Sequence, residues 1–158
     1  MIRVQVRETI GCTPDEILEF VMDIERYAAE VDDKIRPVTW ARRDGNLVEF
    51  ECRPKLAGVR QPKVVQQVRL IPGRRIDISM SPPPRNRLQH AIARFDASFE
   101  CAEADGGATL VTRTLTFRVT PAMRWLVEPL LRRRLPAEVR EEVRLAKQHL
   151  ERRSADPA

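Results

Sequence analysis

A chain of 158 residues, 42% hydrophobic and 32% charged, is long enough for one domain with a substantial core and too apolar to read as disordered. Its formal net charge is +5, from 28 Lys and Arg against 23 Asp and Glu. No apolar run approaches the ~18 residues of a transmembrane helix, the charged start MIRVQVRETIG does not read as a secretory leader, and three dispersed cysteines without a C-x-x-C argue against a disulfide framework or zinc site and suit a reducing cytoplasm.

The first segment, Ile2 to Ile10, places Ile2, Val4, Val6, Glu8 and Ile10 on one face of a strand. In the TPDE that follows, Thr13 suits an N-cap, Pro14 the first helical position, and Glu16 completes a capping box. Ile17, Leu18, Phe20, Val21 and Ile24 continue at helical spacing, and ERYAAEV forms a second short helix. From about Arg36 the pattern turns to strands. RPVTWARR and LVEFECR flank Asp44-Gly45-Asn46, a hairpin signal. A loop with Pro54, Gly58 and Pro62 leads to KVVQQVRLI and RRIDISM, separated by Pro72-Gly73. SPPPRN is an extended loop. Leu88 to Cys101 is expected as one long strand with Ala91, Ala93, Phe95, Ala97, Phe99 and Cys101 on one face.

Asp105-Gly106-Gly107 turns the chain into LVTRTLTFRV, where Arg113 stands on the apolar side with Val111, Leu115, Phe117 and Val119. After Pro121 the period becomes helical, with a kink expected near Pro129 and a restart at Pro136, since each proline costs about 3 kcal/mol inside a helix. Leu135, Val139, Val143, Ala146 and Leu150 then form an apolar stripe. Residues 1–153 are expected to be one domain and 154–158 a frayed tail. Consecutive hairpins imply an antiparallel sheet, and the stripe implies that the last helix lies across its concave face.

This order resembles the helix-grip fold of the START and Bet v 1-like (SRPBCC) superfamily, in particular the bacterial polyketide cyclase/dehydrase and lipid-transport-like proteins. The resemblance rests on TPDEILEFVMDIERY, on RFDASFE at 94–100 with the following GG turn, and on RWLVEPLLRRRL at 124–135. It implies an α+β fold whose seven-stranded antiparallel sheet wraps a long C-terminal helix, with two short helices after the first strand. It also implies pairing of the first strand with the last and a cavity for an apolar or aromatic molecule.

If the first and last strands pair with residue numbers summing to 121, Glu8 faces Arg113, and the preceding hairpin puts Phe99 beside Arg113. Two readings stay open at this point. The pair closes the sheet end as a partly solvated salt bridge, worth about 0–1 kcal/mol, or it lines the cavity, where a polar ligand group helps offset a cost of several kcal/mol per ion. The remaining candidate ligand-binding residues are Trp40, Val48, Phe50, Gln66, Ile78, Ala93, Phe95, Phe99, Leu115, Phe117 and Trp125, with Tyr27 as a further cap for the cavity mouth. His90 is expected on the outer face and His149 near the exposed end of the last helix.

No catalytic, metal or cofactor motif is present, so none is assigned. Arg132, Arg133 and Arg134 are the candidates for a weak contact with anionic membrane. Aromatic residues, at 5%, are scarce and do not alternate with the basic residues, so nucleic acid is not expected. The sequence points to binding of a lipid-, polyketide- or isoprenoid-like molecule, with a cyclase or dehydratase using the same cavity as the alternative. Nothing in it sets an oligomeric state.

Overall fold

Alternation along the chain decides which side chains are buried, as seen in a computed structural model that describes residues 1–155, with side chains described through Arg153. β1 (Ile2–Ile10) is followed by α1 (Pro14–Met22), α2 (Ile24–Glu30) and a single 3-10 turn, Asp33–Ile35. The strands β2 (Val38–Asp44) and β3 (Leu47–Cys52) form the first hairpin, and β4 (Lys55–Leu56) and β5 (Val59–Arg60) a small separate one. Then come β6 (Val64–Ile71), β7 (Arg75–Met80), α3 (Arg87–Ile92), β8 (Ala93–Glu103), β9 (Thr109–Val119) and α4 (Pro121–Ala155). Seven strands make one sheet in the order β1-β9-β8-β7-β6-β3-β2, and every neighbouring pair is antiparallel. This is the helix-grip arrangement, with α4 packed on the sheet.

Local chemistry explains the element starts. The Thr13 hydroxyl accepts from the Glu16 N–H at 3.3 Å, and Pro14 opens α1 where its missing N–H costs nothing. On β9, Thr109, Val111, Arg113, Leu115, Phe117 and Val119 are all buried, while the residues between them are not. On α4, Leu131, Leu135, Val139, Val143, Ala146 and Leu150 are buried, and the helix covers β1 and β9.

Three expectations need correction. The β1–β9 register pairs Ile2 with Phe117, so Glu8 faces Val111 and Arg113 faces Val6, two residues from the expected alignment. Leu88 to Ile92 are helical, not strand, and Ala91 is exposed. Asn86 starts that helix at φ 58, a left-handed conformation Asn tolerates, and its side chain bonds both polar groups of Val65 and the Ser81 carbonyl. That holds residues 86–92 off the sheet. The last helix continues through Pro129 and Pro136 as one element instead of restarting. The carbonyls that lose a donor belong to Trp125 and Arg132, two exposed residues of the helix. Ser154 and Ala155 belong to α4, and the rest of the expected frayed tail lies outside the described residues.

The topology sorts the connections into two ends. The 53–63 and 81–92 connections and the β9–α4 junction lie at one end, with the Met1 amino group 3.2 Å from Glu128. The turns at 45–46, 72–74 and 104–108 lie at the other. There α4 finishes, and the Glu151 carboxylate accepts from the Gly11 N–H at 3.0 Å.

Candidate functional site

Arg113 reaches the interior because β9 alternates, and what meets it there is a residue of α4. The side chain is 3% exposed, and its Nε lies 3.2 Å from Oε2 of Glu142, itself 2% exposed. The guanidinium carbon stands 4.2 Å from the Phe99 ring centroid, a cation–π contact with the cross-strand partner. Tyr27 of α2 donates its hydroxyl hydrogen to Glu142 at 2.5 Å. Lys34 bridges the two carboxylates, with Nζ 2.7 Å from Glu142 and 2.9 Å from Asp32. The Asp32 carboxylate also accepts the Lys34 N–H at 3.1 Å. Two positive and two negative groups thus form a buried cluster with no net charge, which limits the desolvation cost that makes isolated buried ions untenable.

The titration directions follow from burial opposed by partners. Burial pushes Glu142 up, but the charges of Arg113 and Lys34, with hydrogen bonds from Lys34 and Tyr27, hold it well below the usual carboxylate range. Burial pushes Lys34 and Arg113 down, and the neighbouring carboxylates more than reverse this, so both stay charged. Asp32 is raised, first by burial and then by Glu142. Tyr27 is raised far above its ordinary value by burial and the Glu142 charge, so its phenol stays neutral.

One feature of the cluster is incomplete. Nε and Nη1 of Arg113 are buried and have no directed hydrogen bond; the contact with Glu142 is an ion pair off the N–H axis. Buried polar atoms without partners are rare in folded proteins. Arg113 also lines a pocket of about 130 Å³ between the sheet and α1–α2, far above the ~10–15 Å³ that one water requires. Apolar walls come from Val21, Ile24, Phe50, Ile78, Phe95 and Leu115, and the few polar groups include Gln66, Lys34 and Tyr27.

Of the residues singled out by sequence, Phe50, Gln66, Ile78, Ala93, Phe95, Arg113, Leu115 and Phe117 meet in this wall, as does Tyr27. Val48 and Phe99 are buried core outside it. Trp40 is half-buried outside the wall, with the Arg42 guanidinium 5.5 Å from its ring. Trp125 is 76% exposed on α4 and does not cap the pocket. Glu8 lies outside it too, 3.3 Å from Lys147 with its side chain 40% exposed. His90 lies on α3, not on an outer strand face, 3.0 Å from the Ser81 carbonyl oxygen. His149 is half-buried, stacked on Phe20 at 4.8 Å.

Sequence reasoning missed Glu142, Asp32 and Lys34. Glu142 carried a signal: it stands three residues after Val139 and four before Ala146, on the buried side of the α4 stripe. Asp32 and Lys34 sit in and beside a 3-10 turn, where no period marks an inward residue. Among the described residues, no group of three His, Cys, Asp or Glu side chains is placed to hold a metal ion.

The comparisons agree with this architecture. The family model described as polyketide cyclase/dehydrase and lipid transport matches residues 1–151. No curated protein matches the sequence. Among solved structures, the chain is similar to TTHA0849 from Thermus thermophilus, with a TM-score of 0.74, 14% identity, and coverage of 94% of this chain and 97% of that one. It is similar to the Zhui aromatase/cyclase from Streptomyces sp. R1128, with a TM-score of 0.71, 14% identity, and coverage of 97% and 95%. A START superfamily protein from Mycobacterium smegmatis matches with a TM-score of 0.62, 14% identity, and coverage of 99% of each chain. At these identities the likeness is one of fold.

Proposed function

The chain belongs to the polyketide cyclase/dehydrase and lipid transport family, and we propose that it binds an apolar or aromatic small molecule whose oxygen-bearing group meets Arg113. The observation that carries this reading is the buried guanidinium at the wall of an apolar pocket, with Nε ion-paired to Glu142 and Nη1 without a hydrogen-bond acceptor. A carboxylate, phenolate or carbonyl oxygen supplies the missing acceptor, and the apolar walls take up the rest of the molecule. A lipid-, polyketide- or isoprenoid-like ligand fits that description, and carriage of such a molecule is the corresponding role. A cytoplasmic setting suits its three dispersed cysteines, which form no C-x-x-C pair.

The alternative is a cyclase or dehydratase using the same pocket, as the likeness to an aromatase/cyclase suggests. Tyr27, which lines the pocket, and Glu142, which accepts its hydrogen bond from outside the lining, are its acid–base candidates. The bonding disfavours them as they stand. The single Tyr27 proton is committed to Glu142, and that carboxylate is already held by Lys34 and Arg113. General acid or base work would require these bonds to break first.

Calorimetric titration with 2-naphthoate and with naphthalene tests the binding reading. The wild-type protein should prefer the carboxylate. The double variant Arg113→Met/Glu142→Gln removes one charge of each sign, and it should lose that preference by tenfold to about a hundredfold. Equal binding of the two probes by the wild type, or an undiminished preference in the double variant, would refute the assignment of Arg113.

A further inference from the structure

Charge and exposed apolar surface are both concentrated at the end of the sheet whose connections wall the pocket. The 53–63 connection carries four basic residues and no acidic one, residues 82–94 carry three and none, and residues 118–137 carry five and one. All twelve of these basic residues are exposed. The rest of the chain carries 16 basic and 22 acidic residues, so its sign is opposite. Of the seven large apolar side chains exposed among the described residues, only Ile71 lies at the other end. Val59 on the small hairpin is 50% exposed, Leu88 on α3 60%, and Trp125, Leu126 and Leu130 on α4 are 76%, 56% and 38% exposed.

These elements are joined to one another. Arg134 of α4 donates to the Ala57 carbonyl at 2.9 Å, Thr120 donates to the Ile92 carbonyl at 3.0 Å, and Gln89 donates to the Lys63 carbonyl. The same segments wall the pocket through Pro54, Leu56, Gln61, Pro62, Gln89 and Ile92.

We propose that this end of the molecule docks on an anionic lipid bilayer, with the mouth of the pocket against the membrane. The 31–37 connection at the same end adds two basic and two acidic residues, so the end keeps a large excess of exposed cations, which matches the negative surface potential of anionic lipid. Trp and Leu between arginines match the interfacial zone, where an amphipathic ring and apolar side chains leave water while the cations stay at the headgroups. Nucleic acid fits less well, because the end presents a single exposed aromatic ring, Trp125, for stacking. An acidic protein would satisfy the cations but not five exposed apolar side chains spread over three separate elements. The proposal stands independently of Arg113 and of what the pocket holds.

The test is co-sedimentation with vesicles of phosphatidylcholine alone and with vesicles containing about 30% phosphatidylglycerol. A Trp40→Phe variant leaves Trp125 as the sole indole reporter. Binding should require the anionic lipid and weaken sharply when salt rises from about 0.1 to about 0.5 M. Trp125 emission should shift to the blue and be quenched by brominated acyl chains. Arg60→Gln/Arg87→Gln changes two exposed side chains on separate elements and should weaken binding by about 30-fold. Equal partition onto both vesicle types, binding without quenching of Trp125, or tighter binding to soluble poly-glutamate or RNA than to anionic vesicles would each overturn the proposal.

Discussion

Replacing Glu142 by glutamine removes one of two buried negative charges and leaves Arg113 and Lys34 with Asp32 as their only buried anion. The glutamine amide can still take part in a hydrogen bond with Tyr27, so packing and shape change little. What changes is the charge balance, from neutral to +1, in a site where all four ionic groups are almost fully enclosed. Stripping one member from a buried ion pair costs about 3–5 kcal/mol because the remaining charge is left uncompensated. For a domain of this size, with a melting shift of ~2–4 °C per kcal/mol, the melting temperature should fall by roughly 6–20 °C at neutral pH.

The pH dependence gives a second reading of the same quantity. Glu142 has its folded pKa depressed to about 2, so its stabilisation is complete above the unfolded value. That stabilisation is lost as pH falls through the folded value. The stability gap between wild type and Glu142→Gln should therefore be constant from pH 7 to about pH 5 and narrow below it. Urea unfolding of both proteins across that range, followed by circular dichroism, measures the gap. Asp32 is raised first by burial and then by the Glu142 charge, so in the variant its carboxyl titrates lower, and this partly offsets the narrowing that Glu142 alone would give. A loss below about 1 kcal/mol at pH 7, or a gap that does not close in acid, would refute the claim that a balanced buried cluster holds α4 to β9.

Two further predictions concern the register and the pocket. Glu8→Gln should change unfolding free energy by no more than about 1 kcal/mol and leave 2-naphthoate binding unaltered, because Glu8 meets Lys147 at a half-exposed site rather than Arg113; a substantial loss of affinity by calorimetry would restore the Glu8–Arg113 pairing. Ala93→Trp extends an indole from a small residue of the pocket wall, and it should abolish binding of both naphthyl probes while keeping a cooperative thermal transition; probe binding at wild-type strength would show that the ligand sits elsewhere.

The error at Glu8 has a specific cause. Side chains on a strand repeat every two residues, so a slip of one residue moves every side chain to the other face and is readable from sequence. A slip of two keeps every side chain on its face. The alternation therefore assigned Arg113 to the interior but carried no information about which residue of β1 it meets. The β8–β9 hairpin was different, because its short turn limits the alignment, and Phe99 faces Arg113 as expected. The α3 segment was misread because six residues are too few to show a helical period. The bond from Asn86 to Val65 that lifts it off the sheet spans 21 residues.

By itself the sequence determined the presence of the seven strands of the main sheet, the capped helix after β1, the buried stripe of α4 and the inward face of Arg113, because each follows from local periodicity or from a side chain bonding a nearby backbone group. Only the tertiary structure decided the partner of that arginine. Glu142 is 29 residues away, Lys34 is 79 away, and Tyr27 belongs to the opposite wall of the pocket. Electrostatic pairing acts across space without regard to chain order. The cluster that neutralises Arg113 exists only where α2, the Asp33–Ile35 turn, β9 and α4 close on one another.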